Sequence, residues 1–183
     1  QQSSLDNSSY RADSNKTFLT SQTYTNLFPT ANFNFTPSRS KNLRFRYNGR
    51  TNQPSITQLQ NVPDVTDTLN IRIGNPNLNQ EFTHSFNLGF NTFNMLTMKF
   101  IAANINFSTT DNKIINNISY TGRRQVTTYE NMDGYFNGSS FITLGLPFRN
   151  PKLKGSSINV TNNMSYTQDI SLLNSVKNIT QVF

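Results

Sequence analysis

The sequence has no cysteine. That excludes a disulfide framework, a thiolate metal site and a cysteine nucleophile. Histidine occurs once, as His84, so no second imidazole or thiolate can join it in a metal site. Charged residues make up only 14% of the chain and hydrophobic residues only 34%, and alanine is scarce, which argues against a helical protein. No apolar run approaches the ~20 residues of a transmembrane helix, and no signal peptide is visible. No Ser/His/Asp set, carboxylate pair or phosphate loop stands out. The expectation is therefore a protein with no enzyme activity and no cofactor.

Asn, Ser and Thr fill most of the remainder. Aromatic content of 12%, with 15 Phe, separates the chain from disordered sequences. Strand and turn formers dominate, and the combination suggests β-strands whose two faces see different media. The 183 residues suffice for one ordinary domain. Gln1-Gln2-Ser3-Ser4 reads as the interior of a longer chain. The net charge of +7 admits nucleic acid as a partner in principle. The basic residues form no dense run, however: Arg123-Arg124 is the longest pair, and Arg39, Lys41, Arg44 and Arg46 are interleaved with other residues. No nucleic-acid partner is expected; such a binder would lose affinity steeply with salt.

A period of two organises the chain. Residues 1–16 are polar and aperiodic and read as loop, and 17–27 alternates weakly. Ala31, Phe33 and Phe35 alternate with Asn32, Asn34 and Thr36. A turn over 37–42 leads to Leu43, Phe45 and Tyr47, which alternate with Arg44, Arg46 and Asn48. A polar excursion runs from Gly49 to about Asn79, unusually long for a compact domain without secondary structure. Pro54, Pro63 and Pro76 exclude a central strand there. Gly74-Asn75-Pro76-Asn77-Leu78 reads as a turn returning the chain to Glu81. The next strand sets Phe82, His84, Phe86, Leu88 and Phe90 against Glu81, Thr83, Ser85, Asn87 and Gly89.

After a turn at 93–95, the apolar phase shifts from Leu96, Met98, Phe100 and Ala102 to Ile101, Ala103, Ile105 and Phe107. That slip predicts a β-bulge, or cover on both faces. Residues 111–124 are polar, with a distal turn at Tyr120-Thr121-Gly122, and 125–131 is strand-like. Asp133-Gly134 and Asn137-Gly138 are turn or bulge signals. Ile142, Leu144, Leu146 and Phe148 alternate with polar or small residues, and a basic turn follows over 149–155. The last strand carries Ile158, Val160, Met164, Tyr166, Ile170 and Leu172 on one face; the tail from Asn174 reads as loop.

The sum is about six antiparallel strands, each extendable to the about 9–11 residues that a tilted strand needs to cross a bilayer. Short connections (near 37–42, 93–96 and 149–155) alternate with long ones (49–79 and 111–125). This is the layout of a transmembrane β-barrel, with short periplasmic turns and long extracellular loops. A soluble sandwich also alternates, so a secreted all-β binding or adhesion module is the rival reading.

Leu43-Arg-Phe-Arg-Tyr-Asn-Gly-Arg-Thr-Asn-Gln-Pro-Ser55, Gln58-Leu59-Gln60 and Gly74-Asn-Pro-Asn-Leu78 resemble the barrel of TonB-dependent outer-membrane receptors of the Bacteroidetes type. Phe28-Pro29-Thr30 and Tyr129-Glu-Asn131, each before a strand, are similar to the same family. The resemblance covers most of residues 24–172. It implies a barrel of about 22 strands in the bacterial outer membrane, closed by a plug, that takes up a nutrient such as an oligosaccharide, peptide or metal chelate. It also implies as partners the outer-membrane lipid, the rest of the barrel and plug, a TonB-type energy-coupling protein and a surface lipoprotein. No plug or TonB-contacting segment is visible in residues 1–183, which read as one partial barrel domain.

Six residues are candidates for loop or lumen contact with a ligand: Arg50, Gln53, Asp64, Asp67, Arg123 and Arg124. Asp64, Asp67 and Glu81 flank the long excursion and are expected mainly to be solvated. Arg44, Arg46 and Lys99 are expected to face the lumen and pair with acids. His84 is expected on the lipid or interface side. Phe28, Phe45, Phe82, Phe93 and Phe148 are expected in interfacial girdles.

Overall fold

The computed structural model describes residues 2–11, 16–64, 66–148, 150–153 and 155–183, of which 2–24 and 151 are described by backbone alone. Twelve strands form among these residues. A separate antiparallel hairpin pairs β1 (Gln2–Arg11) with β2 (Lys16–Thr25). The other ten share one sheet. They are β3 (Thr30–Ser38), β4 (Lys41–Asn52), β5 (Asn70–Arg72), β6 (Glu81–Asn94), β7 (Lys99–Asp111), β8 (Lys113–Thr121), β9 (Arg124–Met132), β10 (Tyr135–Pro147), β11 (Ser157–Leu173) and β12 (Val176–Val182). One short helix, α1 (Ile56–Leu59), lies between β4 and β5.

The sheet has two storeys. The lower is a wall in the order β3-β4-β6-β7-β10-β11, antiparallel throughout. Upper β11 goes on to pair with β12 and, in parallel, with β8, after which come β9 and β5. Thus the polar stretch after β7 is a hairpin, β8–β9, inserted between two strands that remain neighbours. The sheet does not close on itself.

Alternation explains the wall. Successive strand side chains point to opposite faces, and the registers stack like with like across strands. Phe33 lies opposite Phe45, Leu88 opposite both Phe45 and Ile105, Ile105 opposite Ser140, and Leu144 opposite Ile101 and Val160. The other face carries Asn34 opposite Arg44, Asn87 opposite Arg46 and Asn106, Ser139 opposite Asn106 and Ser165, and Thr143 opposite Thr161. The apolar face is bare: Phe33 is 56% exposed, Ile105 42% and Val160 50%. A soluble sandwich would bury these residues under a second sheet, and no described element covers them.

The expectation of about six strands is therefore too low. The six wall strands are there, but polar chain also pairs wherever two backbones run side by side. Residues 2–11 are strand rather than loop, and positions 12–15 lie outside the described residues. The tail from Asn174 is β12; Asn174 and Ser175 both adopt positive φ (51° and 62°), as a two-residue hairpin turn with the right twist requires. The predicted basic turn contains a 3-10 turn at Pro151–Leu153; Arg149 and Lys154 lie outside the described residues.

The predicted bulge in β7 is absent. That strand pairs without interruption with β6 and β10. Instead, Phe93 and Phe100 face the polar side, directly opposite each other, with Phe100 also opposite Gly145. Among the described residues, the one register shift is between Phe35 and Ser38, where Pro37 cannot donate to the ladder.

The long excursion is ordered. Ser55 and Gln58 form a capping box around α1, and β5 pairs in parallel with β9. Leu59 and Leu78 are 1% exposed. Ile115, Ile170 and Leu172, joined by Met132, make the small core beneath the β8–β9 hairpin.

Candidate functional site

Two surfaces bring polar side chains together: the polar face of the wall, and the upper sheet at its long-loop end. On the wall, β4 projects Arg44, Arg46 and Arg50 from one face, and all three are exposed. Arg46 Nε donates to Asn32 Oδ1 (3.0 Å) rather than to an acid. Gly89, opposite Arg44, leaves room beside that side chain. Next to this column is an amide ladder. Asn87 Nδ2 donates to the side-chain oxygens of Asn104 (3.2 Å) and Asn106 (2.6 Å), and Asn106 Nδ2 donates to Asn104 Oδ1 (2.9 Å) and Ser139 Oγ (3.3 Å). A groove of about 350 Å³ passes between Arg46, Asn48, Asn87, Asn106 and Asn137.

The apolar face carries a chain of ring contacts that crosses the wall at one height. Tyr47 meets Phe86 (5.1 Å between centroids), Phe86 meets Phe107 (6.2 Å), Phe107 meets Phe136 (6.2 Å) and Phe136 meets Tyr166 (5.3 Å). Polar partners gather just above it: Tyr47 Oη lies 2.9 Å from His84 Nδ1, and His84 Nε2 lies 3.2 Å from Asp111 Oδ2. An aromatic belt on an apolar band, backed by a wet face, is the cross-section of an outer-membrane barrel wall. The outer membrane protein beta-barrel family matches residues 4–182. The chain belongs to that family. No curated protein matches it.

The barrel protein lies in the bacterial outer membrane. Its Phe-rich face meets lipid and its Asn- and Arg-rich face lines the interior. His84 falls on the lipid side, at the interface, as its register predicts. Phe45 and Phe82 join the outer aromatic cluster; Phe93 does not, because it faces inward, and Phe28 and Phe148 lie outside the strands. Lys99 also departs from expectation. It shares the outward face with Ile101, at the turn end of β7, so the lumen-facing cations are Arg44, Arg46 and Arg50. No described carboxylate forms an ion pair with those arginines. The described ion pairs are His84–Asp111 and Lys113–Asp169.

The six candidate residues separate into three places. Arg50 tops the luminal column, and Gln53, just beyond β4, donates to Asn26 Oδ1 (3.3 Å). Arg123 and Arg124 sit at the exposed tip of the β8–β9 hairpin, where Gly122 makes the turn with φ 64°. Asp64 and Asp67 come together in a cleft of about 610 Å³, floored by one face of β5, β8 and β9. Arg72, Asn116, Gln125, Thr127 and Tyr129 also line that cleft and were missed in the sequence; for Gln125, Thr127 and Tyr129 their alternation along β9 was the available signal. Glu81 is no solvated loop acid: its Oε1 accepts from the Ile114 amide (2.8 Å) and ties β6 to β8.

Asp64 and Asp67 also shape the loop. Asp64 Oδ1 accepts from the Thr66 hydroxyl (2.6 Å) and amide (3.1 Å). Asp67 accepts from Asn70 Nδ2 (2.7 Å) and the Leu69 amide (2.9 Å). These bonds favour the ionised forms. The Thr66 side chain chiefly holds Asp64 below the ordinary 3.8, and the Asn70 side chain chiefly does so for Asp67. A carboxyl depressed in the folded loop contributes order above its ordinary value and loses it as pH falls through the folded one. Protection factors at the Thr66 and Leu69 amides are therefore expected to be constant near neutral pH and to fall below pH 3.8. Hydrogen exchange followed by mass spectrometry checks this; protection unchanged down to pH 2.5 (roughly a unit below the carboxylate range) refutes it.

Proposed function

We propose that the barrel protein is a sector of a nutrient-uptake receptor of the TonB-dependent, Bacteroidetes type. The observation that carries this reading is the construction of the extracellular end. Two connections far apart in sequence, 53–80 and 112–134, are fused by β5–β9 pairing into an ordered platform above a polar lumen. Side-chain bonds lock them further. Asn75 Nδ2 donates to the Tyr129 carbonyl (2.9 Å), and Asn131 Oδ1 accepts from the Asn79 amide (2.7 Å) while its Nδ2 donates to the Asn79 carbonyl (3.0 Å). A wall that only filled the membrane would need no such platform. A receptor does, because preorganised loops capture ligand at lower entropic cost.

In this proposal the loops capture the ligand and the Asn/Arg interior conducts it. A plug gates passage, and an energy-coupling protein and a surface lipoprotein act as partners. Deleting the gene is expected to abolish uptake of at least one of three cargo classes (neutral oligosaccharide, peptide or metal chelate), and a protonophore is expected to abolish the same uptake in wild-type cells. Uptake of all three that survives deletion, or a deletion-sensitive uptake indifferent to the protonophore, overturns the proposal.

A further inference from the structure

We propose that the cleft on β5, β8 and β9 is a binding site for an uncharged, polyhydroxylated ligand, of the size of a short oligosaccharide. The transport reading is assumed only in that the ligand would be its cargo. The strands of the cleft are two-faced. Their lower face is committed to the fold: Ile115 is 4% exposed in the core, and buried Asn117 donates to Glu130 Oε1 (2.7 Å). The registers Asn116–Tyr129, Ile118–Thr127, Asn70–Gln125 and Arg72–Thr127 put the remaining side chains together on the upper face, under the Asp64 and Asp67 turns.

The chemistry of that face selects the ligand. Amides from Asn116 and Gln125 and the Thr127 hydroxyl supply donors and acceptors side by side, the pattern that pairs with adjacent hydroxyls, while Asp64 and Asp67 with Thr66 and Asn70 form the turns that rim the cleft. Gln125 is already oriented, accepting from Tyr120 Oη (3.2 Å). Tyr129 adds one aromatic ring, an apolar surface with a polar tip for the C–H face of a sugar ring. A volume of about 610 Å³ falls within the range of small-molecule sites.

Three alternatives fit less well. Both carboxylates are occupied by loop donors, with Arg72 beside them, which leaves little drive for a cation. The same two carboxylates repel anionic chelates. An extended peptide would add to the free edge of β5, but the Asp64 amide already bonds the Arg72 carbonyl there (2.9 Å).

The test titrates the full-length protein in detergent with maltotriose, cellotriose, xylotriose and mannotriose, using triglycine and ferric citrate as contrasting probes. At least one trisaccharide is expected to bind. Gln125→Ala and Tyr129→Ala should each weaken it at least tenfold, exposed Asn116→Ala should weaken it several-fold, and Asn178→Ala on β12 should leave it unchanged. Binding of triglycine or ferric citrate alone, binding of no trisaccharide, or trisaccharide binding untouched by all three cleft variants overturns the site. Trisaccharide binding without protonophore-sensitive uptake sinks the transport reading and leaves the site standing. Energised uptake of a different cargo that bypasses the cleft sinks the site and leaves transport standing.

Discussion

Gly74→Ala is expected to dislodge residues 53–80 from the loop platform while leaving the wall folded, at a local cost of about 3 kcal/mol. The cause is space. A Cβ on residue 74 would collide with the Gln60 carbonyl oxygen and sit 2.7 Å from the Gln60 nitrogen and 2.8 Å from the Gln58 oxygen. These are backbone atoms that cannot swing aside. They are fixed by the Ser55–Gln58 capping box, and by the bonds from the Gly74 amide to Gln60 (3.0 Å) and from the Asn75 amide to Gln58 (2.6 Å). Buried Leu59 and Leu78 lie on either side in sequence, so a shift at residue 74 strains both anchors. Gly145→Ala makes the contrast. Its Cβ would first meet the Phe100 ring, a side chain on the polar face that can rotate away, and the cost should be much smaller. Limited proteolysis and hydrogen exchange over 53–80 read the difference; equal protection in Gly74→Ala and wild type refutes the account.

The second large effect separates the two faces of the wall. Ile105→Lys is expected to cost about 2 kcal/mol, the penalty for a cation facing lipid inside the apolar band of a barrel wall. Ile105 is the middle residue of β7 and lies between Leu88 and Ser140 on the lipid face. Ser165→Lys is placed at nearly the same depth, opposite Ser139, but points into the polar interior. It should change stability by no more than about 0.5 kcal/mol, as surface substitutions do. Urea unfolding of the full-length protein folded into lipid vesicles measures both. Similar costs for the two variants would reject the assignment of the faces.

The wall was readable because each of its strands must satisfy two solvents at once. In β6 the register from Phe82 to Phe90 carries the whole signal, and the structure reproduces it residue for residue. Where that demand lapses, so does the pattern. β1 and β12 carry no sustained apolar alternation, and β8 sets only a short buried face, Ile115 and Asn117, against its polar one; their pairing with neighbouring strands is what the structure adds. The misreading of β7 has a specific origin. Phe93 and Phe100 are aromatic residues on the polar face, and Phe100 covers the gap at Gly145; without the partner strands, an inward Phe is indistinguishable from a slipped register. The error carried over to Lys99. In the cleft, Asp64 and Asp67 drew notice because they flank the long excursion. Arg72 and Gln125 did not, since their neighbourhood depends on parallel pairing between segments 55 residues apart.

The placement of the β8–β9 hairpin bears on how such proteins diversify. β7 and β10 are hydrogen-bonded neighbours up to the Thr110–Tyr135 pair, so the chain leaves the wall and re-enters it at positions only about 5 Å apart. Everything between those positions is a cassette. Its base is held to the wall by the short pairing with the top of β11, by Ile115 packed against Ile170 and Leu172, and by the Ile114 amide on Glu81, so it is the hairpin beyond those contacts that can change in length or sequence without altering the wall's register. Ligand specificity can then drift at the surface while the membrane-spanning frame stays constant.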